Sequence, residues 1–268
     1  MLNKRHLGRH YRISTLDLLG RLGYGTTRQI AKGVWGQVTE STRKMANRTI
    51  TQLVERGYLL EKRDDVNSER LVAVTKAGAD MLEYALPKDR PSAKDWLRHA
   101  HDHRTAANSV FVAAAGAHQL GGVDSGWTEL EIRAGEAPDH LASYAFRMDG
   151  QPQLKIPDGI IQTEHGYVWI EVENAYRGAR DFAKCVAWLR AMFWEINPPV
   201  AEVWFVVTAP GAATIGRRLR EALRPGDFTV DARPVQAKDH DRRVWKDKVK
   251  VQELDSLHLT LHLSQLER

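Results

Sequence analysis

The sequence is poor in cysteine: Cys185 stands alone among 268 residues. One thiol excludes an internal disulfide framework and a zinc cluster held by thiolates, and it fits a reducing, cytoplasmic setting. Long apolar runs are also missing. No stretch approaches the length of a membrane span, and the opening Met1-Leu2-Asn3-Lys4-Arg5-His6 lacks the apolar core of a signal peptide. We therefore expect no membrane partner. What is present, 43% hydrophobic and 27% charged residues, excludes a disordered chain. The length suits one large domain or two ordinary ones.

Charge is unevenly placed. Residues 1–110 hold 20 Lys and Arg against 12 Asp and Glu, a surplus of +8, whereas residues 111–268 hold 19 against 22, a balance of −3. A polyanion partner for the first part fits that asymmetry, although ordinary surface chemistry produces similar values.

In that first part Leu16, Leu18, Leu19 and Leu22 recur with helical spacing over residues 13–23. Thr26-Thr27 predicts a cap for a short helix from Arg28 to Gly33. Over Ser41 to Arg56, Ala46, Ile50, Leu53 and Val54 form one apolar stripe. Arg43, Lys44, Asn47, Arg48 and Gln52 fall off it and face outward. Gly57 ends the helix, and strands are expected at Tyr58–Arg63 and Leu71–Val74 around a polar turn, before a helix over Ala79–Ala85. This order resembles a winged helix-turn-helix, with Leu53–Gly57 through Thr75–Gly78 most similar to the MarR-like class, over residues 12–86. The resemblance implies double-stranded DNA as partner. Arg43, Lys44, Asn47 and Arg48 would lie in the major groove and Arg63 on the wing.

Pro87 to Pro91 breaks the chain, and a long helix is then expected from Ser92 to Gln119, stopped by Gly121-Gly122. His99 and His103 would share one face of it at i, i+4, a spacing able to hold a metal. The zinc-protease pattern is absent, and a buried or DNA-facing polar cluster is the simpler reading.

Further on, Ile156-Pro157-Asp158-Gly159 and Trp169-Ile170-Glu171-Val172-Glu173-Asn174 read as two strands joined by a turn at Glu164-His165-Gly166. Alternation points Val168, Ile170 and Val172 one way and Trp169, Glu171 and Glu173 the other. A turn near His165 sets Asp158 opposite Glu171 or Val172, roughly 5 Å away. Three carboxylates so gathered repel, and a divalent cation is the usual remedy. The alternative is a surface hairpin with solvated acids.

Asp158 after Pro157, with Glu171 in a following apolar strand, resembles the PD-(D/E)XK nuclease signature. The resemblance implies Mg²⁺ or Mn²⁺ held by Asp158, Glu171 and the Val172 carbonyl. Glu173 stands where Lys is usual, a departure also found in some type II restriction enzymes, and it would be a third catalytic residue. Together with the winged helix and the run His103-Arg104-Thr105-Ala106-Ala107-Asn108, the chain resembles the plasmid replication–relaxation family over residues 12 to about 210. Restriction-enzyme-like mobilisation relaxases are related to that family. In the superfamily a helix lysine can replace the missing one, and Lys184 is the candidate. However, two residues from Phe182 is about 200° round the helix, which predicts Lys184 pointing away. Arg177 or Arg180 would reach phosphate instead, and Tyr167 and Tyr176 flank the acidic strand as conceivable nucleophiles.

Around the hairpin, Trp127–Arg133 alternates as a strand, whose Glu129 or Glu131 could add an acid, and residues 134–152 look irregular. Arg177-Gly178-Ala179-Arg180 would lead into a helix running to about Trp194 that buries Phe182, Cys185, Val186, Leu189 and Phe193. Ala201–Val207 reads as a central strand covered on both faces, Gly211–Leu223 as a helix, and 226–268 as less regular, with a basic strand over Asp241–Lys250. The expected whole is a mixed α/β chain. It comprises a winged-helix DNA-binding domain (1–86), a linker helix (87–122) and a PD-(D/E)XK restriction-endonuclease-like mixed-sheet domain (123–268). The expected function is DNA binding with metal-dependent nicking or cleavage of plasmid or mobile-element DNA; a restriction enzyme would cut as a homodimer. The rival expectation is a DNA-binding regulator or replication accessory with an inactive nuclease-like domain.

Overall fold

Leu16, Leu18, Leu19 and Leu22 form the buried side of a helix, α1 (Lys4–Leu22), in the computed structural model. The structure describes residues 4–64, 67–86, 92–117, 126–194, 197–223, 226–230, 233–237 and 248–263. Two compact units divide it: Met1–Asp124 with Ser256–Thr260, and Ser125–Asp255 with Leu261–Arg268.

In the first unit α1 leads through a short strand, β1 (Gly25–Thr26), into α2 (Thr27–Trp35) and α3 (Glu40–Glu55). Thr26 and Thr39 each accept a backbone N–H in a reciprocal capping box, with Gln29 and Thr42 as the returning partners. The apolar stripe of α3 is buried through Ala46, Ile50 and Leu53. Gly57, at φ 73°, turns the chain into the strand β2 (Leu59–Arg63). That strand pairs antiparallel with β3 (Arg70–Val74), which in turn pairs with β1. Thr75 then caps α4 (Lys76–Ala85).

The single helix expected from Ser92 to Gln119 is two: α5 (Lys94–Arg98) and α6 (Asp102–Ala117), separated at His99–His101. Its expected stop at Gly121-Gly122 lies outside the described residues. Polar bonds tie α6 to the preceding helices. Buried Asn108 donates through Nδ2 to the carbonyls of Leu22 (3.2 Å) and Tyr24 (2.8 Å). Gln29 Nε2 donates to Thr105 O and Ser109 Oγ, both at 2.8 Å. The stretch expected as a linker thus contributes α5 and α6 to the first unit.

The second unit is mixed α/β around a curled sheet. Strand β4 (Gly126–Thr128) passes into α7 (Glu129–Arg133), so the strand expected over Trp127–Arg133 is mostly helix. Thr128 accepts from Glu131 N while the Glu131 side chain returns to Thr128 N, a box that wins over the alternation. The connection expected to be irregular holds α8 (Asp139–Ala142) and a hairpin, β5 (Tyr144–Met148) with β6 (Gln151–Lys155). Asp149 (φ 53°) and Gly150 (φ 73°) make its turn, the left-handed pair that a type I′ two-residue hairpin requires.

β7 (Gly159–Thr163) and β8 (Gly166–Glu173) form the expected acidic hairpin. Helix α9 (Ala179–Trp194) then carries the chain to β9 (Glu202–Val207), parallel to β8 and almost wholly buried. A 3₁₀ turn at Pro210–Ala212 and α10 (Ile215–Ala222) replace the single helix expected at Gly211–Leu223. The tail is more regular than expected. β10 (Gly226–Val230) pairs with β11 (Arg233–Ala237), and β12 (Val249–Asp255) runs parallel to β9 beside β13 (Thr260–Leu263). Most of the basic stretch Asp241–Lys250 lies outside the described residues. The main sheet is ordered β13-β12-β9-β8-β7-β4. Trp169 of β8, Trp188 of α9 and Phe205 of β9 are fully buried, with ring centroids 5.2 and 6.5 Å apart along that series. Among the described residues no helix is long and apolar enough to cross a membrane.

Candidate functional site

The register of the acidic hairpin pairs Gly159 with Ile170, and it continues one step to set Asp158 against Glu171. Asp158 N donates to Ile170 O (3.1 Å), and Asp158 Oδ2 accepts from Val172 N (2.8 Å). Alternation sends Trp169, Glu171 and Glu173 to one face, where the Trp169 ring meets Trp188 of α9. The two glutamate side chains are only 1% and 3% exposed. A carboxylate so buried loses its hydration, and burial pushes both Glu171 and Glu173 above the ordinary carboxylate range.

The compensation comes from the chain itself. Lys155, the last residue of β6, holds its Nζ 2.5 Å from Glu171 Oε2, while the Trp169 indole N–H donates to Glu171 Oε1 at 2.7 Å. Arg177 grips Glu173 through Nη2–Oε1 (2.5 Å) and Nε–Oε2 (3.4 Å), and lies 3.7 Å from Glu171 Oε2. Burial acts to lower Lys155, but Glu171 and Asp158 outweigh it, and its ammonium is held above the usual lysine value. Arg177 is likewise held charged by Glu173 and Glu171 against the effect of burial. The Arg177 carbonyl accepts from Arg218 Nη1 (2.6 Å), and that guanidinium lies over the rings of Phe182 and Tyr176, at 4.1 and 4.7 Å.

The need for a divalent cation, expected from repulsion among three acids, is therefore met by internal cations. All four oxygens of Glu171 and Glu173 have protein donors. Among the described residues, no group of three or more His, Cys, Asp or Glu side chains could hold a metal ion.

Beside the cluster a cavity of about 210 Å³ is bounded by Lys155, Arg177, Asp181 and Lys184, over Phe146, Cys185 and Trp188. Lys184 thus faces the cavity, against the expectation that it points away. The angle from Phe182 misleads because Lys184 shares a flank of α9 with Asp181 and Trp188, three residues before and four after. Cys185 is core, as expected, and burial pushes its thiol up to about 12.

Other candidates disperse. Glu129 bonds Arg133, and Glu131 is spent on the Thr128 cap, so neither adds an acid here. Tyr167 packs on Trp127 with centroids 5.9 Å apart, and Tyr176 is exposed beneath Arg218. Exposed His99 follows α5 whereas His103 lies within α6, so the break removes their common face; His103 instead stacks on His101.

On the first unit, Arg43, Lys44, Asn47 and Arg48 are all exposed along α3, opposite its buried stripe, and Arg63 is exposed at the end of β2. Lys44 pairs with Glu40 at 2.6 Å, a contact so exposed that it contributes little. Arg63 donates to Ser68 O (3.2 Å) across the turn of the β2–β3 hairpin. Gln52, expected outside, is half-buried.

Sequence reasoning missed Lys155 and the Trp169 N–H as partners of Glu171. The signal for Lys155 was the Asp149-Gly150 pair, which announces the hairpin that delivers it. Compared with family models, curated proteins and solved structures, the chain matches none.

Proposed function

We propose that this chain is a double-stranded-DNA-binding protein of the regulator or replication-accessory kind. Its first unit reads DNA as a winged helix, and its second is a nuclease-like framework that does not cut. The observation that carries the reading is α3: Arg43, Lys44, Asn47 and Arg48 are exposed together while Ala46, Ile50 and Leu53 are buried behind them. Lysine and arginine on such a face neutralise phosphates, and arginine and asparagine match base edges in the major groove. The succession α1, α2, α3, then β2 and β3 with Arg63 near their turn, supports the winged-helix comparison.

For the second unit, the antiparallel β7–β8 pair followed by α9 and the parallel β9 supports the PD-(D/E)XK comparison, and with it the plasmid replication–relaxation family. Against activity stand the ion pairs: Lys155 and Arg177 occupy the glutamates that would hold Mg²⁺ or Mn²⁺. A second reading, metal-dependent nicking, is favoured by the opposition of Asp158 and Glu171 and by a lysine on that glutamate. Asp158 and Glu171 would then be the metal ligands and Glu173 the third catalytic acid, once both cations had moved off.

Incubation with supercoiled plasmid and either ion separates the readings. Bound but intact plasmid is the expected result. Open circles from the wild type that Asp158→Ala abolishes would establish nicking, and linear product would point to paired cleavage by a homodimer.

A further inference from the structure

Asp181 and Lys184 lie three residues apart on α9, and both line the cavity beside the glutamate cluster. Opposite charges at that spacing ordinarily meet on a helix. Here they do not: among the described residues neither side chain has a hydrogen bond or an ion pair. The other charged residues of the lining are committed, Lys155 to Glu171 and Arg177 to Glu173.

The lining residues and their ion-pair partners therefore balance, three cations (Lys155, Arg177 and Lys184) against three carboxylates (Glu171, Glu173 and Asp181). A simple anion would satisfy Lys184 but meet Asp181, and a simple cation would do the reverse. At short range the repulsion offsets the attraction. A molecule that carries both charges, and no net one, avoids that conflict. The rest of the lining, Phe146, Cys185 and Trp188, is apolar. At about 210 Å³ the space falls below the roughly 300 Å³ at which pockets for drug-sized ligands begin. We propose that the cavity binds a free amino acid with an apolar side chain. Lys184 takes its carboxylate, Asp181 its ammonium, and the apolar lining its side chain. The site lies wholly within the second unit and does not depend on the DNA-binding reading.

Calorimetric titration of the full chain with L-leucine and L-phenylalanine tests the proposal. At least one of them is expected to bind with a dissociation constant of about 1 mM or tighter. N-acetylation removes the ammonium and amidation removes the carboxylate. Each should weaken binding by about tenfold, the contribution of one hydrogen bond between charged groups. Two variants tie each loss to its residue. Asp181→Asn should bind the amino acid and its N-acetyl derivative within about twofold of each other, yet still discriminate against the amide. Lys184→Met should bind the amino acid and its amide within about twofold, yet still discriminate against the N-acetyl form. Each comparison is made within one variant, so a general loss of affinity does not imitate the pattern. No binding of either amino acid at that level would overturn the proposal. So would derivatives that bind as tightly as the parent, variants that keep the wild-type discrimination, or inorganic phosphate binding more tightly than both amino acids. Each of those results leaves DNA binding untouched.

Discussion

Lys155 Nζ lies 2.5 Å from Glu171 Oε2, and only 1% of that glutamate side chain is exposed. The pair joins the end of β6 to the middle of β8. Removing one member of a buried pair strands the other, so Lys155→Met should cost about 3 kcal/mol at pH 8. Burial already holds Glu171 above the carboxylate range, and loss of Lys155 raises it further. Between the unfolded value and that raised folded value, the folded variant keeps a proton the unfolded chain lacks. Its stability therefore falls as pH rises through that window. Urea titrations should find a smaller deficit at pH 5 than at pH 8. Equal deficits would contradict a charged partnership.

Adding Glu171→Leu to Lys155→Met removes both charges. The double variant should recover at least half of the loss, because replacing a whole buried pair by apolar groups is close to neutral. A double variant less stable than the single one would give the carboxylate a role beyond that pair.

Cys185 provides a clean probe of α9, being the only thiol in the chain. Burial pushes its thiol up to about 12, so little thiolate exists at pH 8 and access is poor. An aromatic disulfide reagent should label less than about a tenth of native protein in the time that fully labels denatured protein. Rapid labelling of the native chain would show that the α9 packing is open.

Gly126 sits on β4 where an added Cβ would meet Ile160 O at 2.1 Å and Ile161 Cα at 2.8 Å. Neither atom is the end of a flexible side chain. Gly126→Ala should therefore destabilise by about 2 kcal/mol, as strained small-to-large changes do. A thermal melt unchanged from the wild type would place β4 farther from β7 than described.

How much of this was legible in the sequence follows from which forces are local. The opposition of Asp158 to Glu171 could be read because apolar alternation and one turn fix register. The α3 face could be read because Ala46, Ile50 and Leu53 define its opposite side. The Thr128–Glu131 capping box and the Asp149-Gly150 turn are local signals too, but the alternation over 127–133 suggests a strand and residues 134–152 look irregular without them. Lys155 is different. Its approach to Glu171 depends on a hairpin packing beside a sheet, a tertiary event for which spacing gives no rule. The break at His99–His101 carries no glycine or proline; it is marked instead by His101, whose Nδ1 accepts from Arg104 N at 3.3 Å at the start of α6, a cap that the usual Ser, Thr, Asp or Asn signal does not announce.

The most direct measurement of the central claim is the salt dependence of duplex binding, comparing the wild type with Arg43→Ala/Arg48→Ala. Each lost phosphate contact should reduce the slope of log affinity against log salt by roughly 0.9, so the double variant should bind more weakly with a slope about 2 units shallower. An unchanged slope, or no duplex binding by the wild type at low salt, would contradict the account.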